Sequence, residues 1–282
     1  MSSQEKIDVE ELYRKLTGSQ LQKLIYGAEA RFYFVDAYKD DHPEMPVITQ
    51  DKPEEIQFFR WGVIPPFAKY IDKPNKSGEM QHLHPYDFGN YYSKTANAMV
   101  ETLAEKSTWK RLYKKRRCVI PATGFYEFYH AKGKSKSYPH FISLKDFPLF
   151  GFAGLWDSWT DPDTGEVVNT FAIITTEPNE MMQVIHNNPK AHSGSRMPVM
   201  LIPDEWDTWL DGEMTIEEVQ AMCQPFPTDG MQAWPVRQGL KDRGVDANIP
   251  KVQEKMSFPE LGDDWRSYGN DPGKKAEQAS LF

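Results

Sequence analysis

The chain has 282 residues, 39% of them hydrophobic and 13% aromatic, enough for one large core or two small ones. A formal charge of −8 excludes a polycation that coats duplex DNA through its phosphates. No run of about 18 uncharged apolar residues is present and Met1-Ser2-Ser3-Gln4-Glu5 lacks the stretches of a secretory signal, so the protein is expected off the membrane, in the cytoplasm.

In chain order, Val9, Leu12, Tyr13 and Leu16 repeat at helical spacing and Thr17-Gly18 supplies a stop, which predicts a first amphipathic helix. The aromatic and β-branched runs Arg31–Tyr38 and Ile56–Ile64 predict strands. Residues 71–90, with Pro74, Asn75, Gly78, Pro85 and Gly89, read as a long loop. A second helix is expected from Val100 to Lys115. It overlaps Lys106–Arg117, KSTWKRLYKKRR, whose seven basic residues surround Trp109 and Tyr113. That run reads as a basic patch on an acidic chain or, with equal weight, as a solvated helix face.

Strands follow at short intervals in CVIPA (118–122), GFYEFYH (124–130), HFISL (140–144) and FGFAGLW (150–156). Thr160–Val167 reads as a hairpin loop before the strand Thr170–Thr176, and a short helix capped by Asn179 runs to His186. Two further helices are expected in Asp204–Glu213 and Thr215–Gln224, the latter with a capping box of Thr215 and Glu218. The pattern is α+β in one domain, residues 1–262, and a tail over 263–282 loses apolar periodicity and is expected to be flexible. Cys118 and Cys223 have neither the number nor the spacing for a disulfide framework or a zinc site, so neither a metal nor a cofactor is expected.

Four segments carry a resemblance. They are Arg60-Trp61-Gly62-Val63-Ile64-Pro65; Asn97-Ala98-Met99-Val100-Glu101-Thr102 with Glu105-Lys106; Arg117-Cys118-Val119-Ile120-Pro121-Ala122-Thr123-Gly124-Phe125-Tyr126-Glu127; and Thr175-Thr176-Glu177-Pro178-Asn179-Glu180 with Ile185-His186 and Arg196-Met197-Pro198-Val199. In this order, over residues 56–202, they resemble the SOS response associated peptidase family.

The resemblance implies a single domain around a β-barrel-like, closed or bifurcated sheet flanked by helices. It also implies binding of single-stranded DNA and covalent capping of abasic sites. There the amine and thiol of a cysteine, exposed by autoproteolytic loss of the initiator methionine, close on the ring-opened sugar aldehyde as a thiazolidine. By the same resemblance Asn97, Glu127 and His186 are the catalytic candidates: Glu127 as a general acid/base whose proton affinity burial would raise, His186 as a proton donor to the sugar oxygen, Asn97 as an orienting group. Trp61, Pro65 and Phe67 would form an apolar wedge against unstacked bases, and Asn97 and Thr175 would line the DNA path. Arg196 reads as a phosphate contact or as the partner of an internal carboxylate.

The chain departs from the family pattern in three places. Ser2 stands where the family has cysteine, and two explanations compete: about five further residues carrying Met-Cys and a short strand precede the chain, or it binds DNA without covalent capture. Met99 replaces a common arginine. Asn187–Ser195 forms an insertion that brings His192 as a rival to His186. Finally, Gln278-Ala279-Ser280-Leu281-Phe282 resembles the Gln-x-x-Leu-Phe peptide that docks on the DNA polymerase sliding clamp, which makes Gln278, Leu281 and Phe282 candidate clamp contacts. No constellation for a peptidase acting on other proteins is evident.

Overall fold

A computed structural model describes residues 33–36, 44–85, 92–134, 137–189, 194–242, 244–262 and 264–268. The helix expected from Val9, His192 and the peptide Gln278–Phe282 lie outside the described residues.

Strands β1 (Glu44–Thr49) and β2 (Lys52–Trp61) form the first antiparallel hairpin. The long loop expected over 71–90 contains a second hairpin, β3 (Ile71–Pro74) with β4 (Met80–Leu83). Its turn residues were read correctly but as loop: Asn75 Oδ1 accepts from the Ser77 and Glu79 amides, and Gly78 takes φ +89°. Helix α1 (Tyr92–Thr95) and β5 (Asn97–Met99) follow.

The helix expected over Val100–Lys115 is broken into a 3-10 turn at Val100–Thr102, a series of turns, and α2 (Leu112–Lys115). Thr102, Ser107 and Thr108 are poor interior residues because their hydroxyls compete for backbone groups, as Thr102 Oγ1 does with the Met99 carbonyl. The apolar spacing still serves, since Leu103, Trp109, Leu112 and Tyr113 are all buried.

The dense strand region is β6 (Arg117–Ala122), β7 (Phe125–Tyr129), β8 (Tyr138–Leu144), β9 (Phe150–Thr160) and β10 (Val167–Thr176). After it come α3 (Glu180–Ile185), β11 (Met197–Pro198), β12 (Met200–Leu201), α4 (Trp206–Leu210), α5 (Ile216–Met222) and β13 (Met231–Pro235). Asn179 caps α3 and Thr215 with Glu218 forms the capping box of α5, as their spacing predicted.

The path β10–β2–β1–β6–β9 returns to β10 and closes five strands into a barrel-like sheet, confirming the expected α+β architecture. One face carries Ile48, Val119, Ala153, Leu155, Ala172 and Ile174, and the other Val47, Phe59, Phe152, Trp156, Phe171 and Ile173. Burial on both faces explains why β9 reads as a continuous apolar run rather than an alternating one. Gly154 permits the closure, because a Cβ there would lie 2.4 Å from Ile120 Cδ1 and 2.9 Å from the Ala172 carbonyl oxygen.

A second antiparallel sheet, β13–β8–β7, packs Phe125, Tyr129, Tyr138 and Ile142 onto the second of these faces. Its other side carries Tyr126, Phe141 and Trp234, packed with Phe34, Val236, Leu240 and Val252. Tyr33–Asp36, expected within a strand, are not strand in the described residues, and the Tyr33 and Phe34 amides donate to Asn248 Oδ1. The packed chain also runs further than the boundary expected at 262. Trp265 and Tyr268 are buried at the end of a 3-10 turn.

His140, fully buried on β8, shares Nδ1 with the Tyr138 carbonyl and Nε2 with the Tyr268 hydroxyl. Burial lowers its pKa to about 4 from an ordinary 6.5. The unfolded chain therefore takes this proton first as the pH falls. His140 contributes stability that is whole above pH 6.5 and is lost between there and about pH 4, an effect of about 3 kcal/mol. Urea midpoints taken at about pH 7.5 and about pH 4.5 are expected to fall further for the wild type than for His140→Gln. Equal falls would assign the acid sensitivity elsewhere.

Candidate functional site

Glu127 lies in the middle of β7, opposite His140 and between Phe125 and Tyr129 on the face that packs into the core. Its side chain keeps 25% exposure, so the carboxyl opens onto a crevice rather than the interior. Burial raises its pKa, with His186, Lys241 and the Phe128 amide acting in the opposite direction.

His186 is placed by α3, whose Met181, Met182 and Ile185 plug the same core layer. The helix end is pinned to the end of β7 by a reciprocal amide pair: the His130 N–H donates to Asn187 Oδ1 at 2.7 Å and Asn187 Nδ2 donates to the His130 carbonyl at 3.1 Å. As a result His186 Nδ1 lies 3.9 Å from Glu127 Oε1. The same nitrogen is 2.8 Å from the Arg196 carbonyl oxygen and 3.2 Å from the Arg196 amide. The backbone of Arg196 thus fixes the imidazole through Nδ1.

For Arg196 the sequence left two partners open, and the structure shows the carboxylate. Its guanidinium makes a fork with Glu101, at 2.9 and 2.8 Å, and donates to the Thr175 carbonyl at 2.8 Å. The sequence motif that contains Glu101 assigns it no role; its position four residues after Asn97 is the signal it offers. Asn187 and His130 were missed as well. The Asn187 side chain holds the helix end by gripping the His130 backbone, a contact that no side-chain motif encodes.

Asn97 sits exposed on β5, opposite Ile173, while Trp61 on β2 stands opposite Phe171. Both side chains thus share the β10 face that carries Phe171, Ile173 and Thr175, the face that looks toward β7 and Glu127. Asn97 opens the strand, and Met99, not Asn97, stands at the cap position of the 3-10 turn that follows. The Ala96 carbonyl accepts from Trp61 Nε1 at 2.8 Å and from the Ile173 amide at 3.0 Å, which fixes the chain just before Asn97. Trp61 is half-buried and stacks on Phe171 at 6.0 Å, so part of it is core. Pro65, expected in an exposed wedge, is buried, and its carbonyl accepts from the Ala68 amide in a tight turn. Pro66 and Phe67 protrude instead, Phe67 with 60% exposure.

Both cysteines are buried, and burial raises the pKa of each, that of Cys223 to about 12. Neither is a thiolate at neutral pH. Among the described residues no group of three or more His, Cys, Asp or Glu side chains is arranged to hold a metal ion, and no helix is long and apolar enough to cross a membrane.

Comparison with known proteins points the same way. A profile of the SOS response associated peptidase (SRAP) family matches residues 31–242. The abasic site processing protein YoqW of Bacillus subtilis (strain 168) is 36% identical over 191 residues, covering 67% of this chain and 73% of that protein. The abasic site processing protein HMCES of Gallus gallus is 32% identical over 185 residues, covering 59% of this chain and 48% of that longer protein. The crystal structure of a protein from Bacteroides thetaiotaomicron superposes with a TM-score of 0.67 at 30% identity, over 83% of this chain and 90% of the other.

Proposed function

Because the chain belongs to the SOS response associated peptidase family, we propose that it binds single-stranded DNA and captures abasic sites, with Glu127, His186 and Asn97 handling the sugar aldehyde. The names of its relatives support the substrate class. The observation that carries the reading is the 3.9 Å approach of His186 to the Glu127 carboxyl, with the imidazole held by the Arg196 carbonyl.

The chemistry is addition of an amine to the C1′ aldehyde, followed by loss of water. An amine nitrogen bonds to C1′, and the resulting carbinolamine needs an acid to protonate its departing hydroxyl. Glu127, whose proton affinity burial raises, supplies that proton, and water leaves as the imine forms. His186 serves the earlier step, protonating the ring oxygen as the sugar opens. A cysteine at the amino end then completes a thiazolidine by adding its thiol across the imine. An α-amine without a thiol stops at the imine, which water reverses unless it is reduced.

The test is a single-stranded oligonucleotide with one abasic site, incubated with the protein with and without borohydride and resolved under denaturing conditions. Capture predicts an adduct on the abasic strand and none on the intact strand. Burial of both cysteines favours a second reading, non-covalent binding of single-stranded DNA. It predicts equal, salt-sensitive retention of both strands and no trapped adduct, a result that would overturn the first.

A second contact, with the DNA polymerase sliding clamp, is proposed for Gln278, Leu281 and Phe282 from their resemblance to clamp-docking peptides. Deleting residues 278–282 is expected to abolish clamp retention in a pull-down and leave DNA binding intact. Unchanged retention would dismiss it.

A further inference from the structure

The basic run at 106–117 is absorbed neither by the core nor by the crevice at Glu127. It holds seven cations and no acid within twelve residues, in a chain that otherwise has an excess of carboxylates. The structure divides these cations into two kinds. Arg117 is fully buried and serves the fold, and Lys115 is neutralised by Glu213 at 2.6 Å. The others face outward.

Lys106, Lys110 and Lys114 are exposed, and the turn bonds from the Lys110 amide to the Lys106 carbonyl and from Leu112 and Tyr113 to Trp109 give them helical spacing. They form one row at i, i+4 and i+8. Like charges so placed repel by about 0.2–0.5 kcal/mol per pair, and a face selected only for solubility would interleave glutamates. Beside the row, Arg111 and Arg116 both meet Asp157, Arg116 at 3.4 Å, and the carboxylate beneath them is only 2% exposed. Arg116 also lies over Trp156, its Cζ 4.5 Å from the ring centre. The two side chains keep 44% and 36% exposure, although Arg116 NH1, turned toward Asp157, is itself buried. A buried aspartate backing two part-exposed arginines is a pre-set arrangement for phosphate oxygens.

Register locates this surface relative to the crevice. Asp157 stands opposite Thr170 on β10, five residues before Thr175, whose carbonyl holds Arg196. At about 3.3 Å per residue the separation is about 17 Å, within reach of a strand only a few nucleotides long.

We propose that Lys106, Lys110, Lys114, Arg111 and Arg116 form a second binding surface, for the phosphate backbone of the nucleic acid that continues past the crevice. It depends on the DNA-binding reading above only for which strand is bound.

The test replaces the three exposed lysines together, as Lys106→Gln, Lys110→Gln and Lys114→Gln and separately as the triple glutamate variant, with thermal unfolding as a check that the fold is kept. Affinity for a long, intact single-stranded oligonucleotide is measured against salt. The slope of log affinity on log salt is expected to lose about 2 units in the glutamine variant, at about 0.7 per single-strand phosphate contact, with a larger affinity loss in the glutamate variant. Trapping of an abasic oligonucleotide too short to leave the crevice should be unchanged. A wild-type slope in both variants would overturn the proposal. So would an unchanged DNA slope together with lost binding of polyaspartate, which would assign the surface to an acidic protein. Because the slope is read on intact DNA, failure of abasic capture itself leaves this measurement standing.

Discussion

Glu127→Gln is expected to slow capture of an abasic oligonucleotide by about two to four orders of magnitude, with the thermal midpoint nearly unchanged. Glutamine keeps the shape and the hydrogen bonding of the side chain but has no proton to transfer. The side chain lies at the mouth of a crevice at 25% exposure, so the substitution removes chemistry rather than packing. The pH profile gives an independent sign. Burial raises the carboxyl above its ordinary 4.5, so the acid form persists to higher pH and is then lost. Wild-type capture should therefore fall as pH rises through that raised value, and the glutamine variant should lack this limb. Single-turnover trapping across pH checks both; a glutamine variant with the wild-type profile would remove Glu127 from the chemistry.

Arg117→Met is expected to cost about 3–5 kcal/mol of stability, a large part of what a domain of this kind has. The guanidinium is fully buried, yet among the described residues no carboxylate forms an ion pair with it. Its partners are carbonyls: Trp209 through Nε at 2.8 Å, Tyr113 and Lys114 through NH1 at 3.0 and 2.8 Å, Asp211 and Gly212 through NH2 at 2.8 Å each. These are carbonyls at the carboxyl ends of α2 and α4, which helix geometry leaves without an intrahelical donor and where a cation also opposes the helix dipoles. Methionine fills similar space and leaves four of the five without a donor, the Gly212 carbonyl keeping Gln50 Nε2. Lysine fails too, having three donors in the wrong directions. Denaturant midpoints measure the loss; a shift worth less than about 1 kcal/mol would show that water replaces the guanidinium.

Much of the fold was legible because local rules were obeyed. Asn179, Thr215 and Glu218 cap the helices their spacing announced, and the aromatic runs became strands. What was missed depended on partners distant in sequence. The hairpin β3–β4 was hidden because Pro74, Asn75 and Gly78 signal a turn but not the short polar strands on either side. The Val100–Lys115 helix failed because its apolar spacing fits a set of turns equally well. Arg117 looked like one more surface cation until Trp209 and Gly212, almost a hundred residues away, were seen to surround it.

In the site, motif order was enough to bring His186 and Glu127 together, since α3 and β7 are each well specified and the Asn187–His130 pair joins them. It could not choose the partner of Arg196. The choice of Glu101 rests on β5 and β11 flanking the same end of β10, which is a fact of topology.

The central claim is that Glu127 and His186 act as one proton-handling unit on an abasic sugar. A double-mutant cycle on the rate of borohydride-trapped capture, with Glu127→Gln, His186→Asn and the pair, tests it most directly. The double variant should be no slower than the more impaired single one. Losses that simply multiply would show two residues acting independently and would contradict the account.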